Sequence, residues 1–374
     1  MNTKHSLNKN RVLVAMSGGV DSSVALLKIL EAGYDAFGVT MKLWESRDSN
    51  GNLINDSYCC SLDAVNNAKQ VCQTLQVPHY TIDFQDVFRE KVVDYFIEEY
   101  FAGRTPNPCI QCNSHVRWGA LLSKADQLDS YWIATGHYAR MDKENDQIPF
   151  LRKAVDSNKD QTYVLWEIDQ HSLKRTLFPL GDLMKKEVRE LAANANFATA
   201  EVKESMELCF IPNNNYRGFM EDYVPDRVLE DSRGDFINTQ EESLGRHKGI
   251  SHYTIGQRRR LGITGPKASY VQNIDSDSKT ITLAPREKMS FNGCTVNRLN
   301  WHCDISDYLS KPITVHIRYR HKGVTCHLLN LGDYETKVNF DTPQFAVAPG
   351  QSAVFYSEDR LLGGGIITKA YIHE

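Results

Sequence analysis

Two cysteines stand three residues apart in the segment RTPNPCIQCN, at Cys109 and Cys112, directly behind a Pro-Asn-Pro turn. A C-x-x-C pair serves as a metal clip, as a dithiol or disulfide pair, or as a nucleophile with a neighbouring thiol. A third cysteine, Cys209, stands in the segment ELCF. Taken alone, Cys209 is more simply interpreted as a small buried apolar residue between Leu208 and Phe210.

A glycine-rich loop, AMSGGVDSS, joins an apolar run to a segment with helical spacing. Gly18 and Gly19 allow the backbone to approach an anion, and the N–H groups at a helix N-terminus hold phosphate oxygens. The loop has no lysine and its glycines are adjacent, so it is neither a Walker A loop nor a G-x-G-x-x-G loop. A plain glycine turn with a capped helix is the alternative, but the strand–loop–helix order favours phosphate binding.

The repeated alternation of strand-like and helix-like segments over the first two hundred residues predicts an α/β fold. RVLVAM is an apolar run of the buried-strand type, and DSSVALLKILEAG follows it with helical spacing. Such β-then-α units imply a parallel sheet with helices on both faces. Ligands bind at the carboxyl ends of such strands, where the loop from Ser17 to Ser23, Met41 and the Gly136-His137 pair fall.

Short β-like segments dominate the second half of the chain. We predict three domains: a catalytic domain over 1–212, a small α+β or β domain over 213–288, and a β-barrel-like domain over 289–374. Gly363, Gly364 and Gly365 are interpreted as a break between strands.

The composition is that of an ordinary globular protein, with a net charge of −4, 41% hydrophobic and 24% charged residues. No run approaches the roughly 18 apolar residues that a membrane span needs. Nine cysteines, an odd number scattered along the chain, suit a reducing cytoplasm better than a secreted disulfide framework. Two stretches without acidic residues, 243–274 and 311–332, carry several arginines and lysines. They fit contacts with phosphates, and a solvated basic surface is the alternative interpretation.

The loop resembles the S-G-G-x-D-S loop of the PP-loop ATP pyrophosphatase superfamily, and the whole chain resembles the tRNA-specific 2-thiouridylases. This second resemblance runs from about Arg11 to Ile367, and its segments include SGGVDSSVA, GRTPNPCIQCN, ATGHYAR, KDQTYVL, FPLGDLMKKEVRELA, KESMELCFIP, GISHYTIGQRR and FAVAPGQSAVFY. It implies a Rossmann-like PP-loop fold followed by two RNA-contacting domains. It also implies transfer of AMP from ATP to a carbonyl oxygen, then of sulfur to C2 of a tRNA wobble uridine.

Carried over residue by residue, the resemblance implies an ATP site with Mg²⁺ near Asp21. The ATP-site residues would be Ala15, Met16, Ser17, Gly18, Gly19, Val20, Asp21, Ser22, Ser23, Met41 and Gly136. Ser17, Ser22 and Ser23 would contact phosphate. Gly136 would leave room for the adenine.

The same resemblance assigns Cys112 as the catalytic nucleophile and Cys209 as the carrier of a persulfide. Cys112 would release the sulfur from Cys209 or close a disulfide with it. Asn107, Pro108 and Cys109 would line the pocket for the target base. The implied tRNA contacts are His137, Lys159, Asp160, Gln161, Arg318, Tyr319 and Gln351. A buried core histidine is the alternative interpretation of His137.

The sequence departs from the family pattern at two positions. Cys109 stands where many members have an Asp that is a candidate acid or base, and a thiol is a poorer general acid than a tuned carboxyl. A C-x-x-C with a distant third cysteine is also typical of thiolases that hold a [4Fe–4S] cluster, for which Cys109, Cys112 and Cys209 would be the ligands. Arg260 stands where the family commonly has Gly.

Several alternatives stay open at this point. The sulfur donor would be a cysteine desulfurase, acting directly or through relay proteins. A PP-loop synthetase acting on a small molecule is a second hypothesis, although the basic second half would then have no evident role. A non-enzymatic RNA-binding module that keeps the loop is a third.

Overall fold

The computed structural model describes residues 6–47, 53–54, 62–144, 148–202, 208–231, 234–263, 269–329, 332 and 335–372. The α-helices in these residues are α1 (Val20–Glu31), α2 (Leu62–Thr74), α3 (Gln85–Phe88), α4 (Tyr95–Phe101), α5 (Pro108–Gln111), α6 (Leu122–Gln127), α7 (Gln170–Leu173), α8 (Lys185–Asn194), α9 (Tyr216–Tyr223) and α10 (Pro225–Asp231). Two π-helical stretches, Arg89–Asp94 and Cys112–Leu121, join α3 to α4 and α5 to α6.

The strands in the described residues are β1 (Arg11–Ala15), β2 (Asp35–Lys42), β3 (Ser46–Arg47), β4 (Leu53–Ile54), β5 (His79–Asp83), β6 (Trp132–Ala134), β7 (Ala139–Glu144), β8 (Ile148–Lys153), β9 (Thr176–Leu177), β10 (Asp235–Ile237), β11 (Ser243–Arg246), β12 (Ser269–Asp275), β13 (Thr280–Pro285), β14 (Ser290–Trp301), β15 (Ile313–His316), β16 (Val324–Leu329), β17 (Glu335–Phe345), β18 (Ser352–Ser357) and β19 (Arg360–Tyr371). The chain forms two compact units.

The first unit contains a five-stranded sheet in the order β5-β2-β1-β6-β9, and every pair in it is parallel. β1 lies in the middle, and Val12, Leu13 and Val14 are fully buried because helices cover both faces. Side chains of α1, α2 and α8 pack with the sheet in one apolar core. The α/β fold class expected from the sequence is confirmed.

The strand order reverses between β1 and β6, because the chain moves from β1 to β2 on one side and later returns to β6 on the other. Ligands of open parallel sheets bind at such a switch point, beyond the carboxyl ends of the strands. The loop after β1 and the loop after β6 therefore face the expected position of a ligand.

The second unit includes a sheet in the order β11-β10-β13-β12, with α9 and α10 beside it in the chain. Phe236 and Ile281 are fully buried in its core. Residues 93–108 belong to this unit as well. Tyr100 of α4 stacks on Tyr216 of α9 with ring centroids 4.8 Å apart, and Arg227 of α10 makes an ion pair with Glu98 at 2.5 Å.

A closed β-barrel completes the second unit, as expected for the C-terminal part of the chain. Its strands follow the order β14-β17-β16-β15-β18-β19, and antiparallel pairing of β14 with β19 closes it. The expectation that Gly363 to Gly365 break a strand is wrong, because they lie inside β19. A Cβ atom on Gly363 would lie 2.3 Å from the carbonyl oxygen of Asn300, so glycine permits close approach of β14.

The C-x-x-C lies at the start of a helix. Helical backbone runs from Pro108 through residue 127. Proline is favoured in the first turn of a helix, where its missing N–H costs nothing. Both cysteines of the motif therefore lie on a helix, here named the cysteine helix (residues 108–127).

Among the residues that the structure describes, no helix is long and apolar enough to cross a membrane.

Candidate active site

The glycine-rich loop after β1 is held in shape by its own side chains. Ser22 Oγ and Ser23 Oγ donate hydrogen bonds to the carbonyl oxygen of Gly19 at 3.0 and 2.9 Å, and Ser22 Oγ accepts one from the N–H of Ser17 at 3.2 Å. Gly18 has φ +73°, and a Cβ atom there would lie 2.1 Å from the carbonyl oxygen of Ala64. Only glycine fits this position without a shift of the backbone.

The first turn of α1 is open to a ligand. Its N-cap residue is Gly19, whose lack of a side chain leaves the helix without a side-chain cap bond. The N–H groups of such a turn carry partial positive charge and form a natural site for phosphate. Ser17 is exposed, whereas the Ser22 and Ser23 hydroxyls are buried and support the loop. The backbone is thus better placed than these two hydroxyls for phosphate contact.

The loop after β6 packs directly on the start of α1. A Cβ atom on Gly136 would lie 2.8 Å from the carbonyl carbon of Asp21 and 2.9 Å from the nitrogen of Ser22. Glycine at position 136 therefore allows the two loops to meet at the switch point of the sheet. Met41, near the end of β2, is buried at the same carboxyl edge.

A lysine that the sequence analysis did not select completes this part of the site. Lys185 Nζ lies 2.7 Å from each carboxylate oxygen of Asp21, and the Tyr138 hydroxyl donates to Asp21 Oδ1 at 2.8 Å. Lys185 is the first residue of α8, where a positive charge opposes the helix dipole. A lysine at a helix N-terminus is the signal that could have identified it from the sequence.

The side chain of His137 is buried and both of its ring nitrogens have partners. Nε2 lies 3.0 Å from Arg117 Nη1, and Nδ1 lies 2.9 Å from Thr135 Oγ1. A guanidinium only donates, so Nε2 accepts and the proton of the neutral ring is on Nδ1. Burial and, second, the charge of Arg117 hold the pKa of His137 well below 6.5. His137 is therefore a neutral acceptor that orients Arg117.

The cysteine helix is fixed by polar contacts on both sides of Cys112. Gln111 Nε2 donates to Glu167 Oε2 at 3.0 Å, and Asn113 Nδ2 donates to the carbonyl oxygen of Val164 at 2.9 Å. Cys112 itself is buried, whereas Cys109, one turn earlier, is exposed. The helix therefore presents the two thiols to different environments.

Cys209 is half-buried, which separates it from the fully buried structural cysteine that we considered as the alternative. Its neighbour Phe210 is 1% exposed and packs edge-to-face on Phe88 and Trp44, with ring centroids 5.8 and 6.4 Å away. Trp44 follows β2 and Phe88 follows β5. The aromatic cluster thus holds Cys209 beside the carboxyl edge of the sheet.

The cysteines do not form a metal site in this conformation. Over the described parts of the chain, no group of three or more His, Cys, Asp or Glu side chains is placed to hold a metal ion. Cys109, Cys112 and Cys209, which would be the ligands of a [4Fe–4S] cluster under the alternative hypothesis, are thus not grouped around a metal position.

The expected tRNA contacts in the first unit are mostly engaged within the protein. Asp160 accepts hydrogen bonds from Ala154 N and Thr162 Oγ1, and its burial raises the pKa of its carboxyl. Gln161 Oε1 accepts from the N–H of Tyr138 at 3.0 Å. Gln161 thereby supports the segment that carries Gly136 and His137. Lys159 is half-buried.

In the second unit, Arg318 and Tyr319 are exposed on the turn after β15, and Arg318 Nη1 donates to the carbonyl oxygen of Phe345 at 3.3 Å. Gln351 has a different environment. Its Nε2 donates to the carbonyl oxygens of Thr105 and Pro106 at 2.7 and 3.3 Å, just before Asn107 and Pro108 of the expected base pocket. Gln351 therefore holds the segment that leads into the cysteine helix.

Three family models match the chain. They are described as the tRNA methyl transferase HUP domain over residues 10–213, the tRNA methyl transferase PRC-barrel domain over 219–285 and the aminomethyltransferase beta-barrel domain over 291–367. The first model alone covers more than half of the chain. The middle sheet of the second unit lies within the region matched by the PRC-barrel model, and most of the closed barrel lies within the region matched by the beta-barrel model.

Curated relatives match nearly the full length of the chain. A tRNA-specific 2-thiouridylase of Lachnoclostridium phytofermentans is 42% identical over 96% of this chain and 99% of its own. One of Caldanaerobacter subterraneus subsp. tengcongensis is 43% identical over 96% of this chain and 98% of its own. Among solved structures, a 4-thiouridine synthetase–RNA complex with bound ATP aligns with a TM-score of 0.36 and 17% identity, over 59% of this chain and 52% of that chain.

Proposed function

The chain belongs to the tRNA-specific 2-thiouridylase family, and we propose that it uses ATP to replace the C2 oxygen of a tRNA wobble uridine by sulfur. It is a tRNA-modifying sulfurtransferase with a PP-loop nucleotide-binding domain. The names of the family models mention methyl transfer, whereas the curated relatives are named for thiolation. The cysteines and the phosphate loop favour thiolation.

One structural relationship carries the proposal. The cysteine helix reaches the phosphate loop through a short chain of contacts within the first unit. Arg117 of this helix bonds His137, and the adjacent Gly136 packs on Asp21 and Ser22 at the start of α1. A thiol-bearing helix and an anion-binding loop therefore share one edge of the sheet. This is the arrangement that activation of a carbonyl followed by attack of sulfur requires.

In the first step, O2 of the uridine attacks the α-phosphorus of ATP as the N3 proton passes to solvent. N3 takes a proton back from solvent when 2-thiouridine is released. The bond from the α-phosphorus to the bridging oxygen breaks, and pyrophosphate leaves with that electron pair. The loop N–H groups and Lys185 stabilise the charge on the departing phosphates. Asp21 suits Mg²⁺, which is usually held by one carboxylate together with substrate phosphates. Bound Mg²⁺ would neutralise phosphate charge.

In the second step, the terminal sulfur of a Cys209 persulfide adds to C2, and AMP departs with the former O2. A persulfide is more acidic than a thiol and is a strong nucleophile near neutral pH. The Cys112 thiolate then attacks the Cys209 sulfur and the S–S bond to the uridine breaks. This releases 2-thiouridine and leaves a Cys112–Cys209 disulfide, which a thiol reductant must open before the next cycle.

The finer assignments of partners belong to the same proposal. The exposed Arg318 and Tyr319, together with the basic stretch that includes Arg258 and Arg259, would contact tRNA phosphates and bases. A cysteine desulfurase or a relay protein would load Cys209, which is half-buried. A reducing cytoplasm suits a reaction that depends on thiols.

The proposal is tested by measuring pyrophosphate release with and without bulk tRNA. We expect release that depends on RNA and survives in Cys112→Ser and Cys209→Ser variants, which form no 2-thiouridine. Release without RNA would indicate a synthetase for a small molecule, and no release under either condition would indicate a non-enzymatic RNA-binding protein. An iron assay on anaerobically purified active protein separates the persulfide route, which needs no iron, from the cluster route.

A further inference from the structure

Arg117 is a cation whose partners within the described residues are all neutral. Its Nη1 donates to Asn113 Oδ1 at 3.2 Å and to His137 Nε2 at 3.0 Å. Its Nε atom is buried and has no hydrogen-bond acceptor in the described part of the chain. None of the ion pairs found between described residues includes Arg117. The guanidinium thus retains both an uncompensated charge and a spare donor.

Three other cations with little exposure in the first unit have carboxylate partners. Lys185 is paired with Asp21, Arg175 with Asp126, and Arg140 with Asp359. Arg117 is half-buried, but its Nε atom is buried. A buried donor without an acceptor is unfavourable, so this atom requires an explanation. The explanation that fits a guanidinium is an anion supplied from outside, since its planar set of donors matches phosphate and carboxylate oxygens.

The position of Arg117 indicates which anion. Along its own helix it lies five residues after Cys112, and through His137 it adjoins Gly136, which packs on the start of α1. Beyond Gly136, the same chain of contacts continues to Asp21, which belongs to the phosphate loop and is paired with Lys185. Arg117 is therefore linked to the phosphate loop through His137 and Gly136, and it shares a helix with the Cys112 thiol that takes part in the later step. The group that passes between these two parts is the α-phosphate of ATP.

We propose that Arg117 binds a non-bridging oxygen of the α-phosphate and stabilises its charge while AMP moves to the uridine. This inference rests on the proposed function. The bond between uridine O2 and phosphorus forms, the bond to pyrophosphate breaks, and Arg117 remains protonated throughout. His137 is the positioning residue of this pair, because its neutral ring holds the guanidinium until phosphate arrives.

The test compares Arg117→Met, Arg117→Lys and a control, Lys124→Met, in full-length protein. Lys124 lies on α6 of the same helix and bonds Gln127 on the surface, so its removal changes the net charge equally. We expect tRNA-dependent pyrophosphate release to fall about 100-fold or more in Arg117→Met, as for other lost donors at a developing charge. Arg117→Lys should recover part of this rate, and Lys124→Met should match the wild type.

The two diastereomers of ATP with sulfur on the α-phosphorus distinguish a contact from a folding defect. The wild type should prefer one diastereomer, and the preference should shrink about tenfold in Arg117→Lys, whose single ammonium cannot form the same fork. A defect in folding would slow both diastereomers equally and overturn the inference.

Other outcomes also overturn it. If Arg117→Met releases pyrophosphate at the wild-type rate, or loses only the sulfur step, Arg117 does not act on the α-phosphate. These results leave the proposed function intact. If the wild type itself shows no tRNA-dependent release, the proposed function fails instead.

Discussion

Lys185 Nζ lies 2.7 Å from both carboxylate oxygens of Asp21, which joins the start of α8 to the phosphate loop after β1. The Lys185 side chain is 11% exposed, and its ammonium also lies 5.7 Å from the centre of the Tyr138 ring. A salt bridge with this little exposure holds both side chains in one place. When ATP and Mg²⁺ bind, Asp21 can contact Mg²⁺ and Lys185 can contact phosphate in place of their mutual ion pair.

Replacing Lys185 should therefore impair adenylation more than folding. We expect Lys185→Met to lower the rate of tRNA-dependent pyrophosphate release about 100-fold, because one preorganised positive charge at the departing phosphates is lost. Lys186→Met is the matched control. The Lys186 side chain is 87% exposed, and its replacement removes only a surface ion pair with Glu190, whose charged atoms are 3.6 Å apart. Rapid quench measures the rate of pyrophosphate release in both variants. Equal rates in Lys185→Met and Lys186→Met would contradict this role of Lys185.

Arg260 has φ +60°, a left-handed backbone that favours glycine, the residue that the family resemblance led us to expect there. We expect Arg260→Gly to raise the free energy of unfolding by about 0.5–1 kcal/mol because it removes this strain. The same change should weaken tRNA binding and reduce the slope of log affinity against log salt by about one, if Arg260 contacts a phosphate.

Arg259→Gly is the control for Arg260→Gly, because Arg259 is not among the described residues with positive φ. It should lower stability instead of raising it. Urea denaturation and filter binding at several salt concentrations measure both effects. An unchanged salt slope in Arg260→Gly would show that the arginine does not contact RNA phosphates.

Gln351 should act on the rate of thiolation through the backbone that it holds. Gln351→Ala removes two hydrogen bonds to Thr105 and Pro106, just before the expected base pocket. If the loss of these hydrogen bonds raises the activation free energy by about 1–2 kcal/mol, kcat falls about fivefold to thirtyfold. Steady-state kinetics with tRNA distinguish this from a direct RNA contact, for which KM for tRNA would rise while kcat stayed constant.

His137 should remain neutral throughout the working range of pH. Its folded pKa lies well below the ordinary 6.5, mainly because of burial and second because of Arg117. A lowered histidine pKa contributes stability that is fully present above about pH 6.5 and is lost as the pH falls through the folded value. We expect nitrogen NMR to show the Nδ1–H tautomer without protonation between pH 8 and 6.5.

The Arg117→Met variant tests the cause of this shift. Removal of the guanidinium takes away the smaller contribution, so the pKa of His137 should rise while it stays below 6.5. A ring that titrates near 6.5 in the wild type, or one that carries its proton on Nε2, would be inconsistent with the contact described.

The parallel sheet could be predicted because its strands are continuous apolar runs and its helices have a clear period. The phosphate loop was recognisable for the same reason, since Gly18 and Gly19 must stand next to each other between strand and helix. The continuity of β19 through Gly363 to Gly365 was not predicted, because consecutive glycines in a sequence are more typical of a turn than of a paired strand. Only the close approach of Asn300 to Gly363 shows why they are there.

The side chains that join the elements of the candidate site were harder to predict. Lys185 lies 164 positions from Asp21 and Arg117 lies 20 positions from His137, and neither pair has a local motif. Their proximity results from the order of strands in the sheet. Sequence patterns identify which loops meet at the carboxyl edge, but not which long side chains cross between them.

The most direct test of the central claim follows a heavy isotope of sulfur through one turnover. Cys209 is loaded as a persulfide with labelled sulfur, and the protein is mixed with ATP and tRNA before protein and nucleosides are analysed by mass spectrometry. We predict that the label moves into 2-thiouridine in the wild type, stays with Cys209 or its RNA adduct in Cys112→Ser, and is absent from RNA with Cys209→Ser. Labelled free 2-thiouridine from Cys209→Ser, or from wild type without ATP, would contradict the account.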